Sequence, residues 1–328
     1  MSLSALLTAH CLGDVSGSPY EFRNNPSPTN FTGVIEHKID LWSRFQGNRY
    51  GSLGRPTDDT EMTLALCHSL VPINGGLFQY DPDKAVLSYM KWATQSKMLG
   101  RNTRNLFKGI TTLRGYNNRK VKHFKGQISQ SNGSLMRCVP LLFAENRDSI
   151  FYDVCLSNPN LVNLWIGKVY LDLLSLHEKP SKEEFLSYFT QEFVGGLVIP
   201  TDLSYETAEV EHIFALFIDS DARNEKINDR KVKGWVVMPL LILCNLFDTL
   251  NEDMGLMDFI KLVVHIGGDT DTNAAILASI FVAWFGEEKL DDKDVIYNLR
   301  LIADCDYSGD LGTDEIYKIQ NHPYINFP

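Results

Sequence analysis

Apolar residues recur at helical spacing through most of this chain and period-two alternation is rare, which restricts it to an all-α architecture. The strongest helix starts carry caps. Thr57 precedes Asp58, Asp59 and Glu61 and then Met62, Leu64, Ala65, Leu66 and Leu70, an N-cap with an acidic first turn ahead of an apolar face. Ser181-Lys-Glu-Glu184 has capping-box spacing before Phe185, Leu186, Tyr188 and Phe189. Further helices are predicted over roughly 2–12, 83–95, 103–114, 134–145, 161–176, 204–218, 235–250, 256–265, 272–285 and 292–303. Loops are expected at Arg23–Pro28, Pro72–Gly76 and the charged stretch Asp219–Lys233. None reads as a linker, so the 328 residues are expected to form a single domain, 1–328.

A formal net charge of −10 argues against bulk attraction to nucleic acid or an acidic membrane, so any polyanion site must be local. The six cysteines, Cys11, Cys67, Cys138, Cys155, Cys244 and Cys305, are scattered without a C-x-x-C pair, as in a reducing compartment. The first residues lack a basic n-region, and the apolar runs around Trp235–Phe247 and Ala274–Phe285 are too short to span a bilayer. A cytoplasmic protein without a membrane partner is expected.

Two segments concentrate carboxylates and hydroxyls beyond what capping requires. In Thr57-Asp58-Asp59-Thr60-Glu61, three acids and two threonines fall within five residues at a loop-to-helix junction. Some two hundred residues later, Gly267-Gly268-Asp269-Thr270-Asp271-Thr272-Asn273 repeats the chemistry ahead of another apolar helix. Either alone reads as an acidic helix start; two together fit oxygen-seeking divalent cations with positions left for water and substrate. The order of glycines and acids excludes an EF-hand loop, and the lack of Cys or His in either cluster argues against zinc.

Three further segments are candidates. Gly13-Asp14-Val-Ser16-Gly17-Ser18-Pro19-Tyr20-Glu21 reads as a glycine-rich turn after a short helix, with Glu21 a carboxylate able to act as acid or base. Ser131-Asn132-Gly133-Ser134-Leu135-Met136-Arg137 offers backbone N–H groups and a hydroxyl to a phosphate, with Arg137 placed for a bidentate contact or a buried ion pair. Between Lys97 and Lys125 nine cations occur with no Asp or Glu, which makes either a positive rim or a solvated helix face.

In this order the segments resemble the ADP-ribosylglycohydrolase family, which includes the dinitrogenase reductase-activating glycohydrolase and the ADP-ribosyl-acceptor hydrolases. The match rests on Gly13-Asp14…Glu21, Thr57-Asp58-Asp59-Thr60-Glu61-Met62, Asn132-Gly133-Ser134…Met136-Arg137 and Gly267-Gly268-Asp269-Thr270-Asp271-Thr272, and spans nearly the whole chain. The resemblance implies a compact orthogonal multi-helix bundle with two Mg²⁺ or Mn²⁺ ions held by Thr57, Asp58, Asp59, Asp269, Asp271 and Thr272. It implies hydrolysis of the bond between ADP-ribose and a modified acceptor. Glu21 matches the catalytic glutamate of some members, with Asp58 or Asp59 as alternatives. Gly13, Asp14, the Asn132–Ser134 loop, Met136 and Arg137 fall on the substrate side, and Gly234-Trp235 where the family places a loop against the distal ribose and adenine. One departure stands at Ser157-Asn158-Pro159: Asn158 occupies a position where the family commonly has a ligand-contacting histidine, and an amide carries no proton near neutral pH.

The partner so implied is an ADP-ribosylated protein or another ADP-ribose conjugate, with nucleic acid involved only as an ADP-ribosylated end. A non-catalytic ADP-ribose binder and a metal-dependent phosphohydrolase acting on the diphosphate are the alternative readings.

Overall fold

A computed structural model describes residues 1–21, 31–35, 53–96, 98–125, 129–197, 207–229, 231–305 and 325. Among them are fifteen α-helices and one small hairpin, an all-α architecture. Helices α1 (Leu3–Gly17) and α2 (Asp58–Ser69) precede the antiparallel strands β1 (Val71–Pro72) and β2 (Phe78–Gln79), in which Val71 faces Gln79. Next come α3 (Pro82–Gln95), α4 (Arg101–Phe107) and α5 (Leu113–His123). Short 3₁₀ turns at Asn132–Ser134 and Val139–Phe143 lead to α6 (Ser149–Val154), α7 (Leu161–Leu174), α8 (Lys182–Ser187) and α9 (Gln191–Gly195). Then follow α10 (Thr207–Ile218), α11 (Ser220–Asn228), α12 (Met238–Leu246), α13 (Leu256–Ile266), α14 (Thr270–Phe285) and α15 (Lys293–Ala303). The six cysteines are free thiols, and no helix among the described residues is long and apolar enough to cross a membrane.

The seam that organises the site is the antiparallel pair α1/α14. Both helices are buried almost all round, so they lie in the interior and pack by shape rather than through one apolar stripe. Gly13 and Gly17 lie four residues apart on one face of α1. A Cβ at Gly13 would stand 2.2 Å from the Ala274 carbonyl oxygen, and one at Gly17 2.2 Å from that of Thr270. Only glycine permits this backbone approach. Polar cross-links fix the register: Thr270 Oγ1 donates to the Gly17 carbonyl at 2.8 Å, and Ser279 Oγ to that of Leu6 at 3.3 Å. In an exposed helix Gly→Ala stabilises by about 1 kcal/mol through propensity. Here Gly17→Ala is expected to destabilise by about 1–3 kcal/mol, because the methyl must displace backbone. Urea unfolding measures the sign.

This packing corrects the expected Gly13–Glu21 turn: α1 continues to Gly17, and the glycines serve helix contact instead of loop formation. The predicted helix 103–114 divides into α4 and α5, since Gly109 takes a positive φ of 73° and Thr112 caps a new start at the Gly115 N–H. The span 134–145 forms 3₁₀ turns, with Pro140 lacking the N–H that an α-helix interior would need. Asp219–Lys233 is largely helical instead of a loop. Asp219 accepts from the N–H groups of Asp221 and Ala222 and opens α11, a solvated helix with no apolar period to advertise it. The Arg23–Pro28 loop lies outside the described residues.

Candidate metal centre and active site

Carboxylates from α1, α2 and the start of α14 converge. Oxygens of Asp14, Asp59 and Asp271 lie within 4.8 Å of one another, and so do those of Glu21, Asp269 and Asp271. Asp271 belongs to both groups. Asp58 sits beside them at the rim, half-buried, with Oδ2 accepting from the Gly100 N–H at 3.1 Å. Thr57, the N-cap of α2, and Thr272, on the first turn of α14, are buried at the same junctions. The two distant acidic clusters therefore face one another.

Asp14 is the anchor. Its carboxylate accepts from Thr57 Oγ1 at 2.7 Å and Thr60 Oγ1 at 2.6 Å, and from the backbone N–H groups of both residues, so the α1 side chain seats the start of α2. It was expected on the substrate side; the structure places it under the acids. The signal available in the sequence was the Gly13-x-x-x-Gly17 spacing, which marks a helix seam next to Asp14.

This donor set fits a cation. The Thr57 hydroxyl has one proton to share between Asp14 Oδ1 at 2.7 Å and Asp59 Oδ2 at 3.0 Å, and Asp14 Oδ1 also accepts from the Thr57 N–H at 3.2 Å. Asp59 Oδ1 is buried with no hydrogen-bond partner. An orphaned, buried carboxylate oxygen beside further carboxylates is costly without a positive charge. Burial, and next the Asp271 charge, pushes Asp14 up to about 7 and Asp58 up to about 8, and raises Asp59 and Asp269 well above the carboxylate range. His10 on α1, with Nε2 3.4 Å from Thr63 Oγ1, is driven down to about 4 by burial and stays neutral.

A pH dependence follows. Folded-state carboxyl values above the unfolded ones give stability that is present below about pH 4 and is lost as pH rises through about 7–8. The metal-free protein is expected to be less stable at pH 8 than at pH 5. A divalent ion replaces the protons, so its shift in melting temperature should be larger at pH 8. Thermal scans at both pH values, with and without Mn²⁺, measure the difference.

The rim is formed by the Ser131–Gly133 turn and Gly234–Trp235, which pair antiparallel at Ser131 and Trp235. Asn132 Nδ2 donates to Asp269 Oδ2 at 2.9 Å. Gly234 lies so near that a Cβ there would stand 3.2 Å from the same oxygen. Trp235 is half-buried, its Nε1 donating to Gln130 Oε1 at 2.9 Å and Lys226 Nζ lying 5.3 Å from the ring centroid.

A sequence model of the ADP-ribosylglycohydrolase family matches residues 3–311. The chain belongs to the ADP-ribosylglycohydrolase family. A solved structure titled "ADP-ribosylglycohydrolase-related protein complex" has the same fold at TM-score 0.60 and 22% identity, over 92% of this chain and 91% of that one. A search of curated proteins finds no match. Membership points to a hydrolase of ADP-ribosyl bonds.

Several residues of the family motifs are taken up by internal packing. Gly13 is occupied by its contact with Ala274, and Met136 is core. Arg137 is fully buried, with Nε donating to Asp153 Oδ2 at 2.7 Å and the remaining nitrogens to Gly133 O, Ser157 Oγ and Asp153 O. It is the buried ion pair, with four of its five N–H groups taken up by acceptors within the protein. Ser134 is buried too, its hydroxyl accepting from Asn163 Nδ2 at 2.8 Å. Asn158, expected at a ligand, is fully buried. Its Nδ2 donates to Ser129 O at 2.8 Å and its Oδ1 accepts from Ser157 Oγ at 2.7 Å, so it braces the 129–131 segment from beneath. Glu61 likewise turns away, accepting from Trp92 Nε1 and Ser96 Oγ with Arg55 3.5 Å off.

The basic stretch forms α4 and α5, where Arg101, Lys108, Arg114, Lys122 and Lys125 are exposed. Arg104 and Arg119 donate to the carbonyls of Leu99 and Lys108. These are solvated helix faces with arginines satisfying chain ends, and Lys97 lies outside the described residues.

Proposed function

We propose that this protein hydrolyses the glycosidic bond linking ADP-ribose to an acceptor, an ADP-ribosylated protein or another conjugate, with two divalent cations, Mg²⁺ or Mn²⁺. The observation that carries the reading is the pair of carboxylate groups sharing Asp271, with the partnerless Asp59 Oδ1 in one of them and no His or Cys in either among the described residues. Thr57, Asp58, Asp59, Asp269, Asp271 and Thr272 would hold the ions. Bound there, such ions polarise ribose hydroxyls and make water a better nucleophile at neutral pH.

The chain's own residues do the rest. Cleavage at an anomeric carbon passes through a positively charged, oxocarbenium-like state, which the surrounding carboxylates favour. Glu21 stands at the outer end of the cluster, half-buried, within 4.8 Å of the Asp269 and Asp271 oxygens, placed to take a proton from the attacking water. The Ser131–Gly133 turn and Gly234–Trp235 border the same opening and would receive the diphosphate and adenosine half. Asp14 keeps α2 in register and touches no substrate.

Glu21→Gln is expected to lower turnover by about 10²–10⁴-fold and to remove one limb of the pH–rate profile, with folding retained. The test of the function itself is incubation with a panel of conjugates, namely ADP-ribosyl-arginine, ADP-ribosyl-serine, a modified nucleic-acid end, poly(ADP-ribose) and O-acetyl-ADP-ribose. Each is run with Mg²⁺, Mn²⁺ or chelator. Free ADP-ribose from any of the first four supports the proposal, whereas from O-acetyl-ADP-ribose alone it reports ester cleavage and overturns the glycosidic reading; AMP with a phosphoribosylated acceptor overturns it in favour of diphosphate cleavage, and no product in any arm overturns catalysis.

A further inference from the structure

Asn132 was expected to meet a diphosphate, yet its side chain is only 6% exposed and its amide nitrogen donates to Asp269 Oδ2 at 2.9 Å. Its backbone N–H donates across to the Gly234 carbonyl at 3.0 Å, and two residues along the partner segment the Val236 N–H donates to Gln130 O at 2.9 Å. One residue thus joins three things: the acid that begins the second cluster, the 129–134 segment and the 234–236 segment. Gly234 has no side chain where the three meet; a Cβ there would press on Asp269 Oδ2 at 3.2 Å and come into ordinary contact with Asn132 Oδ1 at 3.7 Å.

A carboxylate that binds a cation through one oxygen leaves the other to be oriented by a donor, and such donors commonly set both ligand geometry and affinity. Asn132 is placed to be that donor for Asp269. We infer that Asn132 is a positioning residue through which a cation at Asp269 orders the two rim segments, so that the substrate-facing loops become rigid only once the metal is in place. The inference rests on the metal-centre reading of the previous section and adds a coupling to it. The substrate never needs to touch the Asn132 side chain.

The comparison that isolates this role is with Asn163, which braces the same segment through Ser131 O at 2.9 Å and Ser134 Oγ at 2.8 Å. No contact joins its side chain to Asp269 among the described residues. Mn²⁺ affinity is measured by calorimetry, and amide exchange is followed at 129–134 and 232–237 with and without Mn²⁺, in the wild type, Asn132→Ala and Asn163→Ala. In the wild type, Mn²⁺ should slow exchange in both segments. Asn132→Ala should weaken Mn²⁺ binding by about 10–100-fold and abolish the slowing even at saturating metal. Asn163→Ala should speed exchange with or without the ion and leave the Mn²⁺ affinity at its wild-type value. Should Asn132→Ala fail to fold, Asn132→Leu keeps the branched side-chain skeleton while removing the donor without adding charge, and should show the same loss.

Wild-type affinity and wild-type slowing in the Asn132 variant would overturn the inference and leave the metal centre standing. Equal loss of affinity in the Asn163 variant would also overturn it, since general loosening would then suffice. Absence of Mn²⁺ binding in the wild type would overturn the metal-centre reading itself and the coupling with it.

Discussion

Asp58→Asn combined with Asp271→Asn is expected to abolish release of ADP-ribose, by at least about 10³-fold, while the protein remains folded and helical. Asp271 is common to both carboxylate groups, and Asp58 stands at the rim where burial and the Asp271 charge already press it toward protonation. Losing both removes negative charge from each side of the proposed metal pair. The same substitutions should act oppositely on the metal-free protein. The Asp271 charge raises Asp14, Asp58, Asp59 and Asp269, so replacing it relieves repulsion within a buried cluster. The variant's melting temperature in chelator should equal or exceed that of the wild type, and should no longer respond to Mn²⁺. Full activity in the double variant would refute the metal-centre reading; a melting temperature well below the wild type would show that these acids hold the fold together rather than an ion.

Asp153→Ala is expected to destabilise the protein by about 3–5 kcal/mol. The Asp153 carboxylate accepts from Arg137 Nε at 2.7 Å, Tyr89 Oη at 2.8 Å and Tyr80 Oη at 3.2 Å, and both Arg137 and Asp153 are inaccessible to water. The Arg137 guanidinium also lies 5.0 Å from the Tyr89 ring centroid. Removing the acid leaves a buried cation and two hydroxyls without their acceptor. Urea unfolding measures the loss. Arg137→Met with Asp153→Leu should cost clearly less than the sum of the single changes, because the pair is then removed together. An Asp153→Ala variant within about 1 kcal/mol of the wild type would mean that the pair is dispensable. Since Arg137 also holds the Gly133 carbonyl and the Ser157 hydroxyl, surviving folded protein should be impaired in turnover as well.

The parts of this architecture legible in the sequence are those encoded locally. Thr57-Asp58-Asp59 and Asp269–Thr272 announce themselves by density of oxygen ligands, and most helices by apolar period and cap. What could not be read is which residues three-dimensional packing hides. Arg137 and Asn158 carry side chains suited to a phosphate, yet their partners Asp153 and Ser129 stand 16 and 29 residues away. The glycines at 13 and 17 have two physical uses, turn and close helix contact, and only the position of Ala274 and Thr270 decides between them. Glu61 shares a motif with the metal-side acids, but it lies two residues beyond Asp59 on a helix, which turns it to the opposite side from Asp59, toward Trp92 and Ser96. The α11 helix escaped notice because its only apolar residues, Ala222 and Ile227, are too few to show a period.

The α1/α14 seam also bears on how the chain is made. Helix α1 is buried on nearly every side, and the helix that covers its glycine face begins only at Thr270. During synthesis α1 leaves the ribosome first and must wait, at about 5–20 residues per second, for roughly 10–50 s before its partner exists. Closing so long a loop also makes this contact among the entropically dearest to form early. The acids at the centre therefore cannot come together until α14 has been made, and truncation anywhere before α14 should leave the apolar faces of α1 uncovered.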